Sequence, residues 1–360
     1  MDRSTIDYTL LSLIAYAGDF PAGATALALS SPSYGRKVIA ALKAKKLIRV
    51  FCRDQMRSYR LTAAGRKLGI DISPERFAPL TESAPRLKSE AEYRYRLHQL
   101  CHVAIAMQRA GVFLFPDQKA QFQTGMADVM IFPAYYSSRE IKSISQEGTK
   151  IKNARFAGLL LTEDTPYAVY HTGAGTMRWH RNAELRAQAL FAYLLNRTLL
   201  PGKYPPGQIQ GILIGPTMDT CIQYLQESRK VPARTFQLDQ SYAHFHYIPE
   251  TPEGYTVLRL LSQPAILSRL KLILSQGLRP ADPAASIEQD AMEQDGTPVL
   301  FLITADIQRY KNFLRGLTYH NCRGLAYCFE SQLSSFQQVA EGKVDFRIVS
   351  EKKVRYLLDL

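Results

Sequence analysis

The 360-residue chain carries 45 Lys and Arg against 32 Asp and Glu, a formal net charge of +13, and 46% of it is hydrophobic. That apolar content excludes a disordered chain, and the length calls for two or three domains rather than one small core. The charge favours a polyanionic partner, nucleic acid first, while five scattered cysteines without a Cys-x-x-Cys pair exclude a zinc ribbon and a disulfide framework.

In residues 1–72, Ile6, Leu10, Leu13 and Ile14 recur at near-helical spacing, and Gly18 and Pro21 end that helix. Ser30-Ser31-Pro32-Ser33 supplies hydroxyl caps and an early proline for a helix over residues 34–46. That helix buries Val38, Ile39 and Leu42 and shows Arg36, Lys37, Lys43, Lys45 and Lys46. Strands over 47–51 and 58–62 flank a basic tip with Arg53 and Arg57, and another helix starts at Thr62. Helix, helix, basic helix, hairpin, helix is the order of a winged helix-turn-helix. The run Tyr59-Arg60-Leu61-Thr62-Ala63-Ala64-Gly65-Arg66 resembles the end of the wing in bacterial winged-helix proteins. The resemblance implies DNA contact by Ser33, Tyr34, Arg36, Lys37 and Lys43 from a major-groove helix. Arg53 and Arg57 would meet phosphate or minor groove. A winged helix that docks a protein is the alternative.

Residues 73–90, with Pro74, Pro79 and Pro85, read as a linker that denies any long helix. A central domain over 91–200 follows. Its opening helix runs over 90–109 to Gly111, and strands are expected over 112–115, 128–132 and 138–144. Period-two geometry would put Glu140 and Lys142 on one strand face, and hairpin pairing would bring Asp128 beside them. Two carboxylates there suit a hard cation, and helix, strand, strand, strand with Asp…Glu-x-Lys resembles the PD-(D/E)xK restriction-endonuclease-like fold. The resemblance implies Asp128 and Glu140 as Mg²⁺ ligands and Lys142 as their electrostatic partner in a DNA endonuclease. Asp117-Gln118-Lys119 and Glu351-Lys352-Lys353 are competing triplets, and Pro116-Asp117 a competing first acid. Downstream, Lys150, Lys152, Arg155 and Arg178 suit either a phosphate clamp or a solvated charged face. Residues 167–171 and 177–180 alternate like a hairpin around Gly173 and Gly175, and Asn182 is placed to cap a helix over 183–196. His98 and His102, four apart on a helix, and the alternating His244 and His246 read as surface or core residues before metal ligands.

Over 201–360 three strand–helix units recur, from strands at 211–215, 299–303 and 324–329, with a last strand at 344–349. Continuous apolar strands imply a largely parallel sheet. No Walker loop, GxGxxG or GxSxG accompanies them. Residues 277–296, rich in proline and acid, read as a mobile excursion. The expected class is thus multi-domain α/β: an N-terminal winged helix-turn-helix, a restriction-endonuclease-like core and a C-terminal α/β domain. The layout resembles the replication-relaxation family of plasmids and integrative elements. That resemblance implies a protein of a mobile genetic element that binds origin DNA, with a relaxase or replication protein as partner and a homodimer as its assembly. A non-enzymatic regulator that oligomerises through 201–360 is the rival. Met1-Asp2-Arg3-Ser4 opens a mixed segment rather than a leader, and no run reaches the roughly 18 apolar residues of a membrane span, so a cytoplasmic protein without a membrane partner is expected.

Overall fold

The computed structural model describes residues 5–29, 31–81, 89–123, 129–144, 154–173, 177–205, 207–226, 234–238 and 241–357. Among these lie 14 α-helices and three β-sheets in a mixed α/β arrangement, and no helix is long and apolar enough to cross a membrane. The chain divides into two compact units, one of residues 1–122 with 128–134, the other of 123–127 with 135–360.

In the first unit, α1 (Ile6–Ala17) begins where the Thr5 hydroxyl accepts the Tyr8 N–H and ends at Gly18, whose φ of 71° lets the chain turn out of the helix. Next come β1 (Phe20–Pro21), α2 (Thr25–Ala28), α3 (Pro32–Ala44), β2 (Ile48–Arg53), β3 (Met56–Leu61) and α4 (Ala63–Ile72). The strands form an antiparallel sheet in the order β1-β3-β2. Asp54 and Gln55 join β2 to β3, both with positive φ. That is the backbone of a two-residue turn twisted to match its strands.

The segment expected to be a linker instead forms α5 (Pro74–Thr81). Pro74 opens that helix, where a missing N–H costs nothing, and Phe77 is fully buried against Tyr8 and the bare Cα of Gly69. Helix α6 (Ala91–Arg109) also belongs to this unit rather than to a central domain. Its tie is Arg94, fully buried, which reaches the buried Asp19 at the start of the sheet. The Asp19 carboxylate accepts four hydrogen bonds. Ser58 Oγ and Arg60 Nε donate to Oδ1, both at 2.6 Å, while Arg94 Nε and His98 Nε2 donate to Oδ2 at 2.9 and 3.1 Å. Arg94 further donates to the carbonyls of Arg53 and Met56 at 2.7 and 3.0 Å, and both guanidiniums lie over the Phe51 ring.

In the second unit, one sheet has the order β4-β5-β6-β7-β8. Its strands are β4 (Ala134–Ser137), β5 (Gly158–Leu161), β6 (Pro166–His171), β7 (Gln210–Gly215) and β8 (Phe245–Pro249). Helices α7 (Ser138–Ile144), α8 (Arg181–Tyr193) and α9 (Ile222–Leu225) lie between them in sequence, and α10 (Pro252–Ser262) and α11 (Pro264–Leu274) follow. The other sheet holds β9 (Arg279–Pro280), β10 (Ala291–Met292), β11 (Pro298–Phe301), β12 (Gly324–Phe329) and β13 (Val344–Val349) in sequence order, with α12 (Ile307–Tyr319), α13 (Glu330–Ala340) and α14 (Glu351–Leu357). Strands β11, β12 and β13 run parallel, as their apolar runs imply, whereas β9 and β10 pair antiparallel.

Four expectations are corrected here. Residues 129–133 form no strand, because Pro133 has no N–H for a ladder and Val129 and Ile131 are exposed. Phe113 makes a single bridge rather than a strand over 112–115. The boundary expected at 201 falls inside a sheet, since β7 pairs in parallel with β6. The acidic run after 277 is tied down: Arg309 of α12 donates to Glu288 at 2.8 Å and to Asp290 at 3.0 Å.

Arg94→Met removes three donors from a buried site and leaves Asp19 underpaired, so a loss of about 3–5 kcal/mol is expected in urea unfolding of the full chain. Burial alone would raise the Asp19 carboxyl, but hydrogen bonds from His98, Arg60, Ser58 and Arg94 hold it well below the usual carboxylate range. A depressed folded pKa stabilises above the unfolded value, about 3.9, and that stabilisation is lost as pH falls through the folded value. Unfolding free energy therefore drops with acid below about pH 4 in the wild type, and more shallowly in Asp19→Asn.

Candidate nucleic-acid interface

Helix α3 owes its exposed face to simple spacing. Val38, Ile39 and Leu42 are buried, and Gly35 sits against Thr25 and Leu29, so the opposite side turns Ser33, Tyr34, Arg36, Lys37 and Lys43 to solvent. Ser31 caps the helix through its hydroxyl, which accepts the Tyr34 N–H, and Pro32 occupies the first helical position. The five α3 residues expected at DNA thus all lie on the surface, with Tyr34 45% exposed.

The β2–β3 turn carries the other two. Arg53 and Arg57 are exposed; the Arg53 guanidinium donates to Ser89 Oγ and lies 3.6 Å from Asp54. Beneath the turn, the Arg53 and Met56 carbonyls are the acceptors for Arg94, so the hairpin is gripped at its tip by the Asp19 cluster. Nothing local in the sequence pointed to Arg94 or Asp19. They are 75 residues apart, and either type at either position is ordinary on a surface.

Of the remaining expected contacts, Lys150 and Lys152 lie outside the described residues. Arg155 is in the second unit, where its backbone N–H donates to the buried Glu184.

The expected catalytic group does not assemble as a strand pair. Asp128 lies outside the described residues. Glu140 and Lys142 sit on helix α7, not on a strand. Ser137 N and Oγ both donate to Glu140 Oε2, at 2.8 and 2.9 Å, and the Glu140 N–H donates to Ser137 Oγ at 3.4 Å. This reciprocal cap belongs to the Ser-x-x-Glu pattern at a helix start, a signal present in the sequence as Ser137-Ser138-Arg139-Glu140. On a helix, residues two apart point about 200° from each other, so Glu140 and Lys142 share no face. The Lys142 ammonium lies 5.7 Å over the Phe156 ring. With Glu140 engaged as a cap, this pair does not fit the Glu-x-Lys half of a Mg²⁺ site.

Three of the four histidines singled out in the sequence, His98, His244 and His246, take structural posts. His98 belongs to the Asp19 cluster, and His244 Nδ1 donates to Asp306 at 2.7 Å. Asp306, fully desolvated, caps α12 by accepting the Arg309 N–H. Burial lowers the His246 imidazole to about 4. Its Nδ1–H then donates to the Thr304 carbonyl at 3.1 Å, and Gln210, 2.9 Å away, must present its amide N–H to Nε2.

Compared with family models, with curated proteins and with solved structures, the chain finds no match in any of the three.

Ser137→Ala and Glu140→Ala each remove one half of the cap and are expected to lower stability by about 1 kcal/mol in urea unfolding. Because they share the same hydrogen bonds, the double variant should lose less than the sum. A neutral Glu140→Ala would end the capping assignment. The His246 ring stays neutral in the folded chain, so unfolding free energy falls between about pH 6.5 and about pH 4 as the unfolded chain gains the proton first. Proton NMR titration of His246 checks the value directly.

Proposed function

We propose that the first unit is a winged helix that binds duplex DNA, with α3 in the major groove and the β2–β3 turn on the flanking backbone. The observation that carries this is the joint exposure of Ser33, Tyr34, Arg36, Lys37 and Lys43 on one helix and of Arg53 and Arg57 on an adjoining hairpin in a chain of net charge +13. The order α1, β1, α2, α3, β2, β3 and the β1-β3-β2 sheet match the layout of such domains. Short polar and basic side chains near the α3 N-terminus are the usual readers of base edges, while hairpin arginines supply sequence-blind phosphate contacts. On the resemblance to the replication-relaxation family, the target is origin DNA of a mobile element. A Mg²⁺-dependent cleavage step is not part of the proposal, because Glu140 caps α7 and shares no face with Lys142.

Selection of a binding site from random duplexes, followed by fluorescence anisotropy, tests this. Arg36→Ala and Lys37→Ala should weaken the selected site by about 1–3 kcal/mol each and blunt its preference over random DNA. Arg57→Ala should weaken all duplexes alike and reduce the slope of log K against log salt by about one. Duplex binding that is absent, or indifferent to all three substitutions, would overturn the proposal and favour a winged helix that docks a protein.

A further inference from the structure

The strand edges of the second unit are not treated alike. An edge strand presents a row of backbone N–H and C=O groups that its own sheet does not pair. In the sheet that runs from β13 to β9, one edge is β9, two residues long and ending in Pro280, which has no N–H to offer. In the other sheet, residues 304–306 lie against the edge of β8. His246 bridges Asp306, and the Tyr247 N–H donates to the Ala305 carbonyl at 2.9 Å. The edge of β13 has neither protection. It runs for six residues without proline and pairs with β12 on one side. Among the described residues, no strand or bridge meets its other side.

Successive side chains of β13 alternate between the faces of the sheet. Val344, Phe346 and Ile348 share one face, and Asp345 and Arg347 share the other. Ile348 is 54% exposed, an apolar side chain left in solvent on an edge strand. Asp345 and Arg347 already meet partners within their own sheet. Arg323 donates to Asp345 Oδ1 at 2.7 Å, and Arg347 donates to Tyr327 Oη at 2.8 Å and to Glu293 at 2.7 Å. In these bridges the two side chains remain 65% and 53% exposed, and surface pairs of this kind hold their members only weakly. Each is therefore open to a second partner across the strand edge.

The pattern along β13 is complementary to itself. Two copies related by a two-fold axis normal to the sheet would pair antiparallel, with paired residues pointing to the same face. The two numbers in every pair then share parity, so one residue faces its own copy at the centre. Centring on Asp345 or on Arg347 sets like charges directly opposite each other. Centring on Phe346 instead sets Asp345 of each copy opposite Arg347 of the other, and Ile348 opposite Val344 on the apolar face. Opposite charges directly across an antiparallel pair stabilise it and like charges destabilise it, so charge selects the register.

We propose that the β13 edge is an interface between two copies of this chain, paired antiparallel about Phe346 so that two sheets join into one. The proposal is independent of the DNA-binding role given to α3.

Sedimentation velocity of the full chain from about 5 to about 500 µM should show a reversible monomer–dimer equilibrium, weak because one strand pair is a small interface. Arg347→Asp and Asp345→Arg each place two like-charged pairs across the centre and should weaken the dimer at least about tenfold. An equimolar mixture of these two variants should associate as the wild type does, because every cross pair is then opposite in charge. The double variant Asp345→Arg/Arg347→Asp should regain the dimer for the same reason. Both side chains are exposed, and circular dichroism checks that each variant keeps its fold. A chain that stays monomeric throughout the range overturns the proposal and leaves the edge to an extended segment of another protein. A dimer that both single variants leave unchanged, or that their mixture fails to restore, overturns it as well.

Discussion

One buried carboxylate organises the first unit. Asp19 lies between α1 and β1 and has all four of its acceptor positions filled, by donors from β3 (Ser58, Arg60) and from α6 (Arg94, His98). Its charge would be prohibitive alone at full burial, and the two guanidiniums would be equally so without it. Each is tolerable only because the other is present, which makes the cluster an all-or-none constraint on where α6 and the hairpin sit. Arg94 extends that constraint to the β2–β3 turn by holding the carbonyls of Arg53 and Met56. The hairpin tip is thereby fixed against the body of the unit rather than left to the two-residue turn, whose positive φ at Asp54 and Gln55 is a strained conformation for residues with a Cβ.

The legible parts of the sequence are those whose signals are local. The α3 helix declares itself by Ser31-Pro32 and the Val38, Ile39, Leu42 stripe, and the hairpin by two β-rich runs around a polar tip. Strands β11, β12 and β13 are visible as apolar runs, and their parallel pairing follows from the helices between them. What stayed hidden is who pairs with whom. Residues 166–171 and 177–180 alternate as two strands of a hairpin would, yet β6 is already saturated by β5 and β7, and the later segment finds residues 234–236 instead. Periodicity fixes a strand's faces but not its neighbours, and the decisive partner here is more than fifty residues away.

The segment around Glu140 shows a different failure. Its Glu-x-Lys spacing is compatible with a strand, where the two side chains share a face, and with a helix, where they do not. Ser137 decides the matter, because a Ser-x-x-Glu pattern can satisfy two orphan donors at a helix start and has no counterpart in a strand. Pro133, unable to donate to a ladder, keeps β4 from beginning earlier, and the four residues of β4 leave the helix to start at Ser138. The cap and the proline are both legible in the sequence, and together they specify a helix start at Ser138 rather than a continuing strand.

Net charge is the last point at which sequence and structure part. An excess of +13 says that basic side chains outnumber acids, not where the excess is felt. Arg60, Arg94 and Arg309 are each spent on carboxylates distant in sequence, inside the fold or partly so. Arg36, Lys37 and Lys43 stand on a helix that holds no acid at all. The first group fixes geometry: Arg60 and Arg94 share the Asp19 carboxylate and Arg309 meets both Glu288 and Asp290, so three acids lie at contact distance from three cations and offset their external field. The second group has no such match on its own helix, so its field extends outward to about a Debye length and is the part a polyanion meets. Residue type cannot separate these two populations; only the position of a partner outside the local sequence can, 19 and 21 residues away for Arg309 and 41 and 75 residues away for Arg60 and Arg94. Where the fold commits its acids internally, the cations left at the surface acquire a direction, as Arg36, Lys37 and Lys43 do on the outward face of α3.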